Sequence, residues 1–308
     1  MKTKTLTSLL ASAALAFSVG ASETNELEKT DNGGLKIEAS MDVLSDYVWR
    51  GMICNGNPVW QPSVTLGYDA GDLGAVSANV WQSYDLTHKR GTSNTSRRSC
   101  GLQEVDYTLA YANSIGPVGL EAGHVWYTFP NNNGHSDQDI YATVSYKNDI
   151  ATPTASAYWN YSDSAGTDVS AVYFSFGLSR DFNPIDKLTL TPKASLGFGD
   201  HAYTDSSGGT ELTDQTIGLS ASYAITEWFS VGAQINYTWT PSHTLRHEGY
   251  MGEGKHQILW AASTQRFLSS QRKSWPAAAV FVFAPFAAGL AASAMKKTFL
   301  VTSQSKCD

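Results

Sequence analysis

The sequence of 308 residues is poor in cysteine and lacks several motifs that mark common enzyme classes. Its three cysteines, Cys54, Cys100 and Cys307, stand too far apart for a zinc-binding spacing. It contains no Gly-x-Ser-x-Gly nucleophile elbow, no His-Glu-x-x-His pair and no glycine-rich phosphate-binding loop. These absences argue against the familiar hydrolase, zinc-dependent and nucleotide-dependent classes, and the sequence implies no cofactor and no metal.

A basic surface is also absent from the main body of the chain. Residues 22–262 hold 13 Lys and Arg against 27 Asp and Glu, so a nucleic-acid partner is not expected. Residues 263–308 have the opposite balance, with six bases and one acid. The end of the chain therefore differs in chemistry from the rest.

The N-terminus has the features of a secretory signal peptide. Lys2 and Lys4 precede an apolar run over residues 9–19, and small residues lead to a predicted cleavage after Ala21. The alternative, a first membrane helix, needs about 20 apolar residues, and this run is shorter. We therefore predict a signal peptide at 1–21, an exported chain, and a weakly ordered polar segment at 22–34.

Residues 35–51, LKIEASMDVLSDYVWRG, alternate in polarity along their length. The odd positions are mostly apolar and end in Tyr47 and Trp49, whereas the even positions carry five charges. Because successive side chains of a strand point to opposite faces, the pattern predicts one long strand with an apolar face and a charged face. A transmembrane barrel requires such strands, since it has an apolar outside and a polar inside.

The same alternation recurs about twelve times up to residue 267, and Trp81 is an aromatic exception on a polar row. Short connections follow the even strands and long connections follow the odd ones, as in bacterial outer-membrane barrels. The sequence thus predicts an all-β fold, an antiparallel transmembrane outer-membrane β-barrel of about 12 strands over 35–267. The expected location is the outer membrane of a Gram-negative bacterium, with membrane lipid around the barrel and the long loops outside the cell.

This topology places Cys54 in the first long loop and Cys100 in the second. Export leads to a compartment in which disulfides persist. A Cys54–Cys100 disulfide and two unpaired loop thiols both remain open, because spacing alone does not show whether the Cα atoms come within bridging distance.

The segments SDYVWRG at 45–51 and NPVWQP at 57–62 resemble the opening motif of the TorF family, proteobacterial porin-like proteins of unknown function. Later strands, at 104–111, 118–127 and 140–146, are similar to strands of that family. The resemblance covers roughly residues 37–262 and implies an outer-membrane barrel with a pore. It supplies no catalytic or ligand-binding residues.

The resemblance fails at the end of the chain, where residues 268–308 form an atypical hydrophobic and basic tail. Residues 275–295 are apolar enough for a membrane helix, but such a helix would be retained in the inner membrane. We interpret the segment after Ala262 as a frameshift product or a recent extension, and a genuine anchor is the alternative. Phe267 is the best candidate for the terminal aromatic residue of the original barrel.

The inward rows of the predicted strands carry the charged side chains. The candidate pore-lining residues are Glu38, Asp42, Asp46, Arg50, Glu104, Asp106, Glu121, Asp139, Lys147 and Lys193. Acids dominate this set, which favours passive diffusion of small hydrophilic solutes with a preference for cations or neutral molecules. The alternatives are a lumen closed by salt bridges and a structural or adhesive barrel that acts through its external loops.

We also considered an enzyme, because a barrel wall can carry a Ser-His-Asp arrangement. Most histidines fall in predicted loops, and His124 lies on the outward row with Trp126 two residues later. His243 and His247 share the last long loop with two glutamates, but a solvated loop explains them better than a metal site. The sequence therefore predicts a protein that is not an enzyme.

Overall fold

The computed structural model describes residues 34–87, 101–130, 136–161, 170–204, 209–242, 245 and 257–270. One short helix, α1 (His201–Thr204), and a 3-10 turn at Gly71–Leu73 accompany the strands. The strands are β1 (Gly34–Leu44), β2 (Tyr47–Trp49), β3 (Met52–Asn55), β4 (Val59–Asp69), β5 (Ala75–Asp85), β6 (Leu102–Ile115), β7 (Val118–Thr128), β8 (Ser136–Tyr146), β9 (Thr152–Asn160), β10 (Ala171–Ser179), β11 (Phe182–Ile185), β12 (Leu188–Gly199), β13 (Glu211–Ala224), β14 (Phe229–Trp239) and β15 (Gln257–Ser270).

Within these residues, twelve strands close into an antiparallel β-barrel. Each barrel strand pairs with its neighbour along the chain, β10 pairs with β12 past the short β11, and β15 lies beside β1 to close the sheet. At this closure the Ser45 amide donates to the carbonyl oxygen of Ala261 at 2.9 Å. The predicted fold class is confirmed.

The barrel wall has an apolar outer face and a polar inner face. Leu219 and Ile235 lie opposite each other on β13 and β14, and their side chains are 46% and 50% exposed. One residue further along, Ser220 and Gln234 form the next pair and face inward. Because the side-chain period of a strand is two, this register keeps the apolar rows on the outside around the whole barrel. Such a surface is typical of a barrel in a membrane.

The two ends of the barrel differ. Short turns such as those at 146–152 and 224–229 join strands at one end, which we call the short-turn end, and the opposite end is the long-loop end. Exposed aromatic side chains lie near both ends of the barrel. Tyr68, Tyr111, Tyr146 and Tyr223 lie near the short-turn end, and Trp126, Trp159, Tyr161 and Trp239 lie near the long-loop end. This arrangement matches the two aromatic girdles of transmembrane barrels.

The prediction of one continuous strand over residues 35–51 is wrong at its end. Strand β1 stops at Leu44, the chain bends at Ser45 and Asp46, and β2 and β3 then form a separate two-stranded sheet. Tyr47, which alternation assigned to the outer face, is instead 3% exposed and packs inside the barrel. Alternation continues through the bend because a hairpin in the lumen is also built from strands, so periodicity alone cannot reveal the change of direction.

The last barrel strand extends further than its sequence pattern suggests. Alternation weakens after Ala262, yet β15 pairs with β14 through Phe267, which stacks on Phe229 at a centroid distance of 4.7 Å. Arg266 points inward and forms an ion pair with Glu38 at 3.0 Å. Residues 263–268 thus complete the barrel.

The predicted signal peptide, the polar lead-in up to residue 33 and the tail from residue 271 lie outside the described residues, so those interpretations remain predictions. Across the described ranges, no helix is long and apolar enough to span a membrane.

Candidate functional site in the barrel lumen

The first connection at the long-loop end folds into the barrel. We call residues 45–57, which include β2 and β3, the inner hairpin. Its turn lies at Arg50 and Gly51, whose φ angles are +47° and +81°. At the tip, the Thr240 hydroxyl donates to the Gly51 carbonyl oxygen at 2.7 Å, so the hairpin touches the wall just beyond β14. Further contacts reach β6, β8 and β10, and the hairpin therefore crosses the lumen.

The base of the inner hairpin packs as a small apolar core. The buried members of this cluster are Leu44, Tyr47, Val48, Ile53, Val59, Ile258, Trp260 and Ala262. Trp81, the aromatic exception on an inward row, joins it with its ring centroid 5.7 Å from that of Tyr47. Since full burial of one large apolar side chain stabilises a fold by about 1.5–3 kcal/mol, this packing fixes the hairpin in the lumen.

Polar contacts hold the two strands of the hairpin to the wall. The Tyr47 hydroxyl donates to Glu104 Oε2 at 3.0 Å, and both residues are buried. The Asn55 amide donates to Asp85 and to Gln103, each at 3.0 Å. The hairpin is thus connected to β5 and β6 by hydrogen bonds, and those to Glu104 and Asp85 are buried, which increases their contribution.

The tip presents Arg50 to a cage of aromatic rings and one carboxylate. The guanidinium donates from Nη2 to Asp139 Oδ2 at 3.0 Å, and Arg50 is 4% exposed. Its Cζ lies 4.4, 4.3, 4.6 and 5.9 Å from four ring centroids, and we define the cation cage as these rings with the carboxylate: Trp49, Tyr158, Tyr173, Tyr203 and Asp139. Burial lowers the pKa of the Arg50 guanidinium, but the Asp139 carboxylate together with Tyr127, Tyr203 and Tyr158 outweighs this effect and the net pKa is raised. Arg50 is therefore a buried cation.

The cage walls are held by contacts that do not involve Arg50. The Tyr127 hydroxyl donates to Asp139 Oδ2 at 3.2 Å, and the Tyr173 hydroxyl donates to Asp214 Oδ1 at 3.0 Å. The Tyr158 ring stacks on Tyr141 with a centroid distance of 5.5 Å. These second contacts hold the Tyr158 and Tyr173 rings and the Asp139 carboxylate independently of Arg50.

Acidic side chains outnumber basic side chains among the described residues around the inner hairpin. Asp106 is 0% exposed and shares a side-chain hydrogen bond with Glu104. It lies close enough to Glu104 and Asp139 to interact with both electrostatically. Among the described residues, Arg50 forms an ion pair with Asp139 and also interacts electrostatically with Asp214, so one base faces several acids at this level of the lumen.

Cys54 lies in the inner hairpin and packs against its apolar core. Burial, followed by the neighbouring carboxylates of Glu104 and Asp106, raises the pKa of the Cys54 thiol well above its ordinary value, so the thiol stays protonated. Cys54 has no disulfide partner among the described residues, and Cys100 lies outside them. The Cys54–Cys100 pairing remains a prediction.

The lumen towards the short-turn end is lined by smaller polar groups. Thr143 and Ser156 share a hydrogen bond of 2.8 Å across β8 and β9. Asn79 donates to the hydroxyls of Ser63 and Thr65, both at 2.8 Å. These side chains form hydrogen bonds with one another along the wall. The barrel therefore combines a half at the long-loop end that contains the inner hairpin with a polar half at the short-turn end.

The structure distributes the predicted pore-lining residues over three places. On the inner wall lie Glu38, Asp42, Glu104, Asp106, Glu121, Asp139 and Lys193. Asp46 and Arg50 belong to the inner hairpin rather than to a wall strand. Lys147 is exposed in the turn beyond β8, at the rim of the barrel and not on its wall, because the strand ends at Tyr146.

The cation cage was not predicted from the sequence. A signal was nevertheless present, because Tyr127, Tyr141, Tyr158 and Tyr173 all occupy polar rows of their strands. Like Trp81, they are aromatic residues on a face that should be polar. The acid Asp214 on β13, which holds Tyr173, was also missed.

Comparisons with known proteins give one family. The model of the family described as "Bacterial protein of unknown function (Gcw_chp)" matches residues 28–256, which is more than half of the chain. No curated protein matches. The matched range includes the inner hairpin and the wall strands from β1 to β14.

Several solved outer-membrane proteins are similar in structure at low identity. An outer-membrane channel from Pseudomonas putida F1 is 8% identical, with a TM-score of 0.47, over 81% of this chain and 100% of that one. The KdgM porin is 8% identical, with a TM-score of 0.42, over 75% and 98% of the two chains. The protein OmpT of Vibrio cholerae is 13% identical, with a TM-score of 0.38, over 79% and 99%. The barrel assignment itself follows from the strand pairing of this chain.

Proposed function

This chain belongs to the Gcw_chp family of bacterial proteins of unknown function, and we propose that it is an outer-membrane channel for passive diffusion of small hydrophilic solutes. The observation that carries the proposal is the polar inner face of a closed twelve-strand barrel. Eight strands enclose a space that side chains can fill, whereas sixteen leave an open channel. Twelve strands leave room for a water-filled passage, which the inner hairpin would narrow at the long-loop end.

The proposed location and orientation follow from the sequence. A signal peptide would deliver the chain to the periplasm, and an apolar outer face with two aromatic girdles suits the outer membrane. The long-loop end would then face outward, with the inner hairpin at the external entrance. The resemblance of residues 45–62 to the TorF porin-like family supports the same assignment.

We further propose that the passage prefers cations. Acids outnumber bases among the described inward-facing side chains. The acids include Glu38, Asp42, Asp69, Asp85, Glu104, Asp106, Glu121, Asp137, Asp139 and Asp214, and the bases include Lys36, Arg50, Lys193 and Arg266. A lumen with one sign of charge in excess attracts ions of the opposite sign. Neutral solutes would pass without this assistance.

The test is single-channel conductance of the purified, refolded mature protein in a planar bilayer. We expect ohmic steps, with a reversal potential in a KCl gradient that has the sign of cation preference. Replacing Glu38, Asp42 and Asp46 together by Gln, Asn and Asn should move that potential towards zero. Exchange of three exposed turn acids, Asp72, Asp149 and Asp186, for Asn makes the same change in net charge outside the lumen and should leave it unchanged.

A barrel whose lumen is blocked, and which acts through its external loops, is the second candidate. It is favoured by the burial of Arg50 and of the cage rings around it, since a side chain lining open water would be exposed. Absence of conductance from a protein whose circular dichroism shows intact β structure would contradict the channel and support this alternative.

A further inference from the structure

The cation cage has the composition of a binding site for an organic cation, and in this structure its occupant is the chain's own Arg50. Three rings lie within 4.6 Å of the guanidinium carbon and a carboxylate accepts its N–H group at 3.0 Å. Aromatic faces with a nearby acid are the groups that select guanidinium and quaternary ammonium ions, because the negative ring faces attract weakly hydrated cations.

Three walls of the cage, Tyr158, Tyr173 and Asp139, are held by contacts other than Arg50, whereas Trp49 belongs to the same hairpin tip as Arg50. Tyr173 is fixed by Asp214, Tyr158 by the Tyr141 ring, and Asp139 by the Tyr127 hydroxyl. A site whose walls are held by other contacts loses little entropy when a ligand enters, which favours binding. Removal of the Arg50 side chain should therefore leave a preformed site.

The surroundings can accommodate more positive charge than Arg50 supplies. Asp106 is fully buried, shares a side-chain hydrogen bond with Glu104, and interacts electrostatically with both Glu104 and Asp139. Three buried carboxyl groups thus lie close to one another, and a cation with N–H groups or an ammonium centre would reduce the repulsion between them. This is a second observation, separate from the rings, that points to a cationic ligand.

Arg50 itself is held in an unfavourable backbone conformation. Its φ of +47° lies in the left-handed region, which costs a residue other than glycine free energy. The guanidinium is thus presented by a strained turn at the tip of a hairpin. Displacement of such an occupant by a free solute of the same chemistry would leave the barrel wall intact.

We propose that the cation cage is a binding site for small organic cations carrying guanidinium or methylated ammonium groups, and that Arg50 is an internal competitor which such solutes displace. The proposal rests on the proposed channel function and names the class of solute that the channel recognises. Binding would release the tip of the inner hairpin from Asp139 while the base of the hairpin stays packed.

The first test is block of the channel by methylguanidinium. In wild-type protein at constant ionic strength, millimolar methylguanidinium should interrupt the current in a saturable manner. Arg50→Ala should lower the half-blocking concentration about tenfold or more, because the internal competitor is gone. Tyr158→Leu and Asp139→Asn should each abolish the saturable block by methylguanidinium. Arg180→Ala is the matched control, since Arg180 lies 4.8 Å over Phe182 at an exposed turn and should behave as wild type.

The second test does not require conduction. Thermal unfolding of Arg50→Ala in detergent should shift upward with millimolar methylguanidinium or tetramethylammonium and not with equal sodium chloride. Wild type should respond only at higher concentrations. If Arg50→Ala does not fold, the block of wild type and its loss in Asp139→Asn still test whether organic cations bind in the cation cage.

Equal block in wild type, Tyr158→Leu and Asp139→Asn would overturn the proposal, as would a stabilisation of Arg50→Ala that sodium chloride reproduces. Failure of the channel itself gives a different result. In that case no variant conducts, whereas Arg50→Ala still shows selective stabilisation by organic cations.

Discussion

Removal of the Arg50 side chain should destabilise the barrel mainly by leaving a charge behind. Arg50→Ala strands the Asp139 carboxylate, which is 1% exposed, without its guanidinium partner. Loss of one member of a buried ion pair costs about 3–5 kcal/mol. Loss of the cation–π contacts to the rings of the cage adds roughly 1–2 kcal/mol. We therefore expect the free energy of unfolding to fall by several kcal/mol.

The informative comparison is the double variant. Adding Asp139→Asn to Arg50→Ala replaces the stranded carboxylate by a neutral amide, so the double variant should be more stable than Arg50→Ala alone, by about 1–3 kcal/mol. Asp139→Asn alone should also destabilise, because it leaves the guanidinium unpaired. Asp139→Asn thus lowers the free energy of unfolding in wild type and raises it in Arg50→Ala.

The assay is urea unfolding of the refolded protein in detergent micelles, followed by tryptophan fluorescence in all four members of the double-mutant cycle. Equal slopes of free energy against urea would show that the comparison concerns stability alone. If the two substitutions add, so that the double variant loses the sum of the single losses, the ion pair does not stabilise the hairpin and this reasoning is refuted.

Three further substitutions test the wall and the hairpin by the same unfolding assay. Leu219→Arg should cost about 2–4 kcal/mol because the side chain faces the apolar surroundings, whereas its inward neighbour Ser220→Arg should cost far less; equal losses would contradict the assignment of the two faces. Gly51→Ala should cost about 1–3 kcal/mol, because φ is +81° and the added Cβ would lie 2.7 Å from a side-chain carbon of Asp214. An unchanged midpoint of urea unfolding would mean that the tip does not hold this conformation. Tyr47→Phe should cost about 1–3 kcal/mol through loss of the buried hydrogen bond from its hydroxyl to a carboxylate, and a variant as stable as wild type would show that this contact is dispensable.

The strands were predictable because they must satisfy two environments at once. In β13, the alternation of Ile217 and Leu219 with Gly218 and Ser220 follows from one face meeting lipid and the other meeting the lumen. Lys147 shows the limit of this approach. Its parity places it on the inward row, but parity cannot show that β8 has already ended.

The class of fold, the approximate number of strands and the direction of most side chains follow from the amino-acid sequence, because each depends on a local period of two. The position of residues 45–57 and the side chains that meet there are visible only in the folded barrel. Arg50 reaches Asp139 across 89 positions of the chain and Gly51 reaches Thr240 across 189. Contacts between such distant residues depend on closure of the barrel and on packing inside it, and no local pattern of the sequence contains that information.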